Sequence, residues 1–413
     1  MTDTITSSRE AILLEDKYGA HNYHPIPVVL SKGEGVFLWD LEGKRYFDFL
    51  SAYSAVNQGH CHPRIIRALT EQAKELTLTS RAFYNDKLGL AEKFVCETFG
   101  YQKALFMNSG AEANETAIKL ARKWGYTKKG IRDNQAVIVA VKKNFHGRTT
   151  TIISASTDPS ATSGYGPLMP GFEIVDYDNV PALEKALANP NVCALWIEPI
   201  QGEAGVYVPA EGYLKAAEKI CRQHNVLLMM DEIQTGIART GKMLASDHEG
   251  VRADLLILGK ALSGGVLPIS LVLADDDIML VMKPGTHGST FGGNPLAAAV
   301  VMEALQVAKD EQLAENAARL GVVFRERMAA LIKKTSLITQ VRGKGLLNAI
   351  VINDKPDSET AWNLCLDFAK HGLLAKPTHG NIIRLAPPLV ITEEQLHECC
   401  DIIERCVLAM KKS

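Results

Sequence analysis

The chain has no C-x-x-C cysteine pair, no G-x-G-x-x-G, no apolar run near membrane-spanning length and no marked excess of either charge. Each absence excludes a class. The eight cysteines, at 61, 96, 193, 221, 365, 399, 400 and 406, are irregularly spaced, which argues for reduced thiols rather than a disulfide framework or zinc ribbon. Without the glycine fingerprint, a nicotinamide-binding Rossmann unit loses its main support. Lys+Arg 45 against Asp+Glu 47 leaves a net charge of −2, so no global field draws the chain to nucleic acid or an acidic membrane. Small charged metabolites remain as partners. Residues 1–19 have no apolar signal core, and Glu10, Glu15 and Asp16 stand where a mitochondrial presequence would avoid acids. The expected compartment is the cytoplasm. Gly59-His60-Cys61-His62-Pro63 offers ligand types, but neighbours in one turn rarely converge on one ion, and no metal is expected.

What is present is an α/β alternation. Helical patterns at 63–76, 86–99, 111–126, 180–188 and 214–224 interleave with apolar strands at 103–107, 136–141, 172–175, 193–197, 226–230, 255–258 and 269–273. The reading divides the chain into residues 1–50, an arm and small sheet; 51–300, a large α/β domain; and 301–413, a small α+β domain ending in a helix from 393 to 411. Val36–Trp39 and Tyr46–Leu50 read as a hairpin around Gly43, a turn residue. Tyr18–Pro27 and Ser51–Gln58 read as loops carrying Tyr23 and Tyr53, which suit a pocket lining.

Three motifs carry chemistry. Leu255–Leu258 is an unalternating apolar run followed by Gly259-Lys260 and the turn Ser263-Gly264-Gly265. Buried parallel strands place ligands beyond their carboxyl ends, and a lysine desolvated there can form a Schiff base. Asn108-Ser109-Gly110-Ala111 follows a strand and opens a helix, where free N–H groups and the dipole bind phosphate. Val226–Met230 ends in Asp231, a carboxylate able to hold a ring nitrogen protonated. Taken singly, each has an ordinary structural explanation; together they supply the imine, phosphate and pyridinium contacts that pyridoxal 5′-phosphate requires. Gly236–Lys242 matches seven positions of a P-loop, but Met243 stands where the metal-binding hydroxyl belongs, which argues against a nucleotide site.

The ordered set 108–113, 145–148, 198–203, 231–236, 259–265 and 287–295 resembles the class III aminotransferases of PLP fold type I, over nearly the whole chain. Segments 18–25, 51–60 and 375–380 resemble the ornithine δ-aminotransferase group within it, rather than its N-acetylornithine or 4-aminobutyrate groups. The resemblance implies a large, mostly parallel-sheet domain plus a smaller α+β domain built from the C-terminal and N-terminal segments. It implies Lys260 as the Schiff-base lysine, Asp231 on the pyridinium, Phe145 and Ile233 on the two ring faces, and Gln234 on the phenolic oxygen. Ser109, Gly110 and Ala111 would hold the phosphate with Ser289 and Thr290, the latter supplied by the partner of a homodimer. Arg384 and Arg148 would bind the two carboxylates of glutamate or 2-oxoglutarate. Glu203 would neutralise Arg384 while ornithine is bound, and Tyr23, Tyr53 and Arg148 would hold its amino-acid end. His146, beside Phe145, is expected to affect ring packing at most.

Overall fold

Strands built from unbroken apolar runs form the middle of the molecule, because only a strand covered on both faces buries every side chain. The computed structural model describes residues 5–410. Three N-terminal strands, β1 (Leu30–Glu34), β2 (Phe37–Asp40) and β3 (Arg45–Asp48), are followed by β4 (Lys103–Met107), β5 (Val137–Val141), β6 (Phe172–Val175), β7 (Val192–Ile197), β8 (Leu227–Asp231), β9 (Leu255–Leu258) and β10 (Ser270–Ala274). The last seven make one sheet, ordered β4-β10-β9-β8-β7-β5-β6. Only β10 runs against its neighbours; the remaining pairs are parallel. Every residue of β7, β8 and β9 is buried. Their carboxyl ends therefore open on one edge, where ligands bind.

After the helices Pro295–Asp310 and Leu313–Ile332, four antiparallel strands follow: β11 (Ile338–Lys344), β12 (Leu347–Ile352), β14 (Lys376–Thr378) and β15 (Ile382–Leu385), ordered β11-β12-β15-β14. The short β13 (Leu373–Leu374) leaves this unit and pairs in parallel with β3. Lys44 adds a tie: its Nζ donates to the Ala369 and Lys370 carbonyls, each at 2.9 Å. The N-terminal strands and the C-terminal unit are thus stitched together, while residue 300 falls inside the helix Pro295–Asp310.

Three local departures from the sequence reading have physical causes. Residues 8–18 form a helix, which the Ser7-x-x-Glu10 spacing encodes: Ser7 Oγ accepts the Glu10 amide at 3.2 Å, an N-cap. β1 is a mostly exposed edge strand with no apolar alternation to reveal it. Residues 51–54, expected to be a loop, form a turn with positive φ throughout. The closing helix is Glu393–Ala409; Lys411, its expected end, lies outside the described residues.

Candidate active site

Five strand ends deliver the site. β4 leads to Asn108-Ser109-Gly110, β5 to Phe145-His146, β7 to the 198–203 segment, β8 to Asp231–Gln234 and β9 to Lys260. Lys260 stands at φ +48°, an uncommon backbone for a non-glycine residue. Burial first, and the Arg384 guanidinium second, bring its amine down to about 8, against the opposing pull of Glu203, Asp231 and Glu198. Roughly a tenth of such an amine is neutral at pH 7 and about half at pH 8, far more than for an unperturbed lysine, and the neutral form is the nucleophile and proton acceptor.

Asp231 is buried, and its two oxygens have different company. Oδ1 accepts the Ile233 amide at 3.1 Å. Oδ2 receives Asn114 Nδ2 at 2.9 Å and faces His146 Nδ1 at 2.7 Å. This corrects the expectation for His146. Its ring does stack, on Trp196 with centroids 3.9 Å apart, but its nitrogen is bound to the acid at the heart of the site. Against an ionised carboxylate, Nδ1 must be the donor. Nε2 is buried without a partner.

The turn expected to hold phosphate is built by a capping box. Ser109 Oγ accepts the Glu112 amide at 3.2 Å, and Glu112 Oε2 takes the Asn108 and Ser109 amides at 2.9 and 2.8 Å. The amides of Gly110 and Ala111 lie in the helix's first turn, where no intrahelical acceptor exists, so they, with the Ser109 hydroxyl hydrogen, are the donors left for an anion. A Cβ at Gly110 would sit 2.9 Å from Ile233 Cδ1, so glycine lets the turn close on the ring-packing isoleucine. Ser289 reaches this turn within its own chain, accepting Asn108 Nδ2 at 3.0 Å. Thr290 is exposed, beside an open cavity of about 410 Å³ lined by Ser80, Arg81 and Gly288–Thr290.

The side expected to bind carboxylates is a cluster around Arg384 on β15. Its side chain is buried; one nitrogen, Nη1, donates to Gln234 Oε1 at 2.8 Å and Glu203 Oε2 at 3.1 Å. The Tyr53 ring covers the guanidinium at 4.6 Å. Burial, then Glu203, pushes the Tyr53 phenol up, against Arg384. Gln234 comes this close because residue 202 is glycine: a Cβ there would meet Gln234 Oε1 at 2.1 Å. Arg148 is exposed, 5.5 Å from the Phe145 ring, and Tyr23 is 72% exposed yet within electrostatic range of Tyr53. Glu198, which opens the 198–203 motif but has no role of its own in the sequence reading, is buried with Oε2 on the Phe145 amide at 3.1 Å; burial, then Asp231, raises its carboxyl well above the usual range.

Other suspected motifs do not assemble. His60 and His62 turn to different carboxylates, Asp48 and Glu311, each at 2.8 Å. The 236–242 loop is filled from within by the buried Arg239, and Lys242 Nζ caps the Asp247 carbonyl at 3.0 Å.

The aminotransferase class III family model matches residues 18–407. The chain belongs to the class III aminotransferases. This aminotransferase is 61% identical over 396 residues to a protein of Drosophila ananassae named ornithine aminotransferase, mitochondrial, covering 96% of this chain and 90% of that one. A Toxoplasma gondii ornithine aminotransferase structure, described with partial occupancy of PLP at its active site, superposes with a TM-score of 0.97 at 50% identity, covering 98% and 95% of the two chains. An acetylornithine aminotransferase structure from Elizabethkingia anophelis matches with a TM-score of 0.91 at 59% identity, covering 98% and 100%. The expected cytoplasmic compartment is corrected: the Drosophila relative is named mitochondrial, and an acidic N-terminal stretch does not decide the matter. Class III aminotransferases use pyridoxal phosphate, and the site fits it: a desolvated lysine, a buried acid, and amides with no intrahelical acceptor beside a glycine cradle.

Proposed function

We propose that this aminotransferase moves the δ-amino group of L-ornithine to 2-oxoglutarate, giving glutamate 5-semialdehyde and L-glutamate. When bound, pyridoxal phosphate supplies an electron sink for the carbon that bears the amine. Asp231 would hold its ring nitrogen, Phe145 and Ile233 its faces, Gln234 its phenolic oxygen, and Ser109, Gly110, Ala111 and Ser289 its phosphate. Lys260 Nζ takes the proton from the amine-bearing carbon of the donor and returns it on the other side of the exchange. Arg148 and Tyr23 hold the α-carboxylate and α-amine of ornithine away from Lys260, with Tyr53 shaping the pocket.

The observation that carries this reading is Arg384, buried, covered by Tyr53 and bound to Glu203 and Gln234. A bare guanidinium would repel the cationic donor and attract its carboxylate wrongly; pairing it with Glu203 favours a diamino acid, and releasing it admits glutamate. We also propose a homodimer. Phe83 and Phe291 are 70% and 55% exposed and Tyr84 fully so, an apolar group near Thr290 that suits burial against a second copy, and Thr290 would then complete the partner's phosphate site. The proposed working division is residues 51–300 for the cofactor, with 1–50 and 301–413 closing over it.

An amino-donor comparison tests the reading. With 2-oxoglutarate, L-ornithine should exceed N-acetyl-L-ornithine and 4-aminobutyrate by about a hundredfold or more in kcat/KM, the scale on which polar recognition discriminates. The name of the Elizabethkingia relative makes the acetylated donor the sharpest control. Preference for it would overturn the substrate while leaving the Lys260 chemistry intact.

A further inference from the structure

The segment that presents Tyr53 has four consecutive residues in the left-handed region, none of them glycine. Ser51, Ala52, Tyr53 and Ser54 have φ of +49, +44, +61 and +72°. Side chains other than glycine, asparagine and aspartate seldom visit that region even singly, because Cβ crowds the following carbonyl. A run of four persists only where its surroundings over-determine it.

The surroundings are specific. Asp48 Oδ1 accepts the amides of Leu50 and Ser51 at 2.8 and 2.9 Å, at the entry to the turn. Its other oxygen faces His60 Nε2 at 2.8 Å. Ser51 Oγ donates to the Ala386 carbonyl at 2.7 Å, and the Ala386 amide returns to Phe49 at 2.8 Å; residue 386 is two beyond Arg384. At the exit, the turn of the catalytic lysine presses in: a Cβ at Gly265 would lie 2.3 Å from Val56 Cγ1. The outcome of this bracing is the Tyr53 ring over Arg384 at 4.6 Å.

We propose that Asp48, backed by His60, is a positioning residue for amino-donor selection: its carboxylate holds the left-handed turn, and the turn holds Tyr53 against Arg384. Asp48 acts through Tyr53. Without its two amide bonds the backbone relaxes toward the right-handed region, and the phenol swings off the guanidinium. Discrimination among donors then falls, while handling of glutamate, which needs Arg384 uncovered and charged, changes little. The inference rests on the proposed role of Tyr53.

The test is a selectivity measurement on the holoenzyme, reading kcat and KM separately for ornithine, 4-aminobutyrate and glutamate. Asp48→Ala should lower the ornithine to 4-aminobutyrate ratio of kcat/KM by about tenfold, the size of one lost cation–π contact, chiefly through ornithine KM. The glutamate half-reaction should stay within about twofold, since Lys260 and Arg384 are untouched. Adding Ala52→Gly should restore at least a third of the lost ratio, because glycine holds positive φ without support. If Asp48→Ala fails to fold, Asp48→Asn, which keeps an acceptor for both amides but loses the charge facing His60, should move the ratio the same way by a smaller factor. Equal losses for all substrates, or no recovery with Ala52→Gly, would reduce Asp48 to a structural residue and overturn the proposal. Tyr53→Ile separates the two layers: if it leaves the ratio unchanged, the role of Tyr53 fails; if it moves the ratio and the Asp48 variants do not, only the clamp fails.

Discussion

The cofactor-free protein should be destabilised by Lys260, the proposed catalytic lysine, in a pH window the site defines. Lys260 is brought from 10.5 to about 8. Below pH 8 the amine is protonated in both folded and unfolded chains, and the folded state bears the full cost of a desolvated charge. That cost is roughly 3 kcal/mol at 1.36 kcal/mol per unit, trimmed to about 2 kcal/mol because Lys260 is only half-buried by surface area and solvent screens part of the charge. Between pH 8 and 10.5 only the unfolded chain binds the proton, so folded stability rises with pH; above 10.5 the cost is gone. Lys260→Met removes the amine and keeps the volume. At pH 7 the cofactor-free variant should melt about 2 °C above the parent, since a chain of this size changes entropy by roughly 0.9 kcal/mol/K at its midpoint. The gap should close by about pH 10.5. Thermal unfolding of both proteins across pH 7 to 10.5 reads it directly. A better-packed methionine would give a gap independent of pH, and a variant less stable at pH 7 would mean that the lysine is not desolvated; either result refutes the reasoning.

His146→Leu should lower kcat/KM for ornithine and glutamate alike by roughly 10- to 100-fold, the worth of a buried hydrogen bond to a charged group. Steady-state rates with both substrates check this, and a loss under about threefold would return His146 to ring packing. Glu203→Gln should cut the ornithine half-reaction by about tenfold or more while sparing the glutamate half-reaction, because a neutral amide leaves the Arg384 charge unbalanced only where a cation must bind; single-turnover kinetics separate the two. Asn57→Ala should cost about 3 kcal/mol, roughly 3 °C by the same scaling. Asn57 Oδ1 is the acceptor for Nε and Nη2 of the fully buried Arg239, at 3.2 and 2.6 Å. An unchanged melting temperature would show that water replaces it.

Legibility in the sequence followed mostly apolar runs bounded by turn residues. The bounds expected for Lys103–Met107, Phe172–Val175, Leu255–Leu258 and Ile382–Leu385 are those observed, because apolar runs between turn residues leave a strand few alternatives. The site residues at strand ends were legible for the same reason: Asp231 and Lys260 each follow such a run. What the sequence concealed were partnerships across it. His146 lies 85 positions from Asp231, and nothing in Phe-His-Gly-Arg says which nitrogen meets which oxygen. The turn at 51–54 was hidden differently. Ser-Ala-Tyr-Ser has no glycine to announce positive φ, and its conformation is imposed from outside by Asp48, Ala386 and Gly265.

Under the proposed function, the geometry of Arg384 bears on how one pocket would serve two donors. Glu203 and Gln234 both bind Nη1; Nε is buried without a partner, and Nη2 has no hydrogen bond among the described residues. The Nε–Nη2 edge is one of the two faces by which a guanidinium grips a carboxylate with paired bonds. An orphaned buried donor is costly unless something binds it, so that edge favours a carboxylate that supplies two oxygens at once. Glutamate has an α-carboxylate next to its reacting carbon; ornithine carries none near its δ-carbon. Glu203 therefore need not vacate the whole guanidinium for glutamate to bind. It has only to yield enough charge, while the free edge provides the geometry. On the proposed reading, Tyr53 covers the guanidinium at 4.6 Å and bears on the diamino donor, while the Nε–Nη2 edge is what an incoming carboxylate would take.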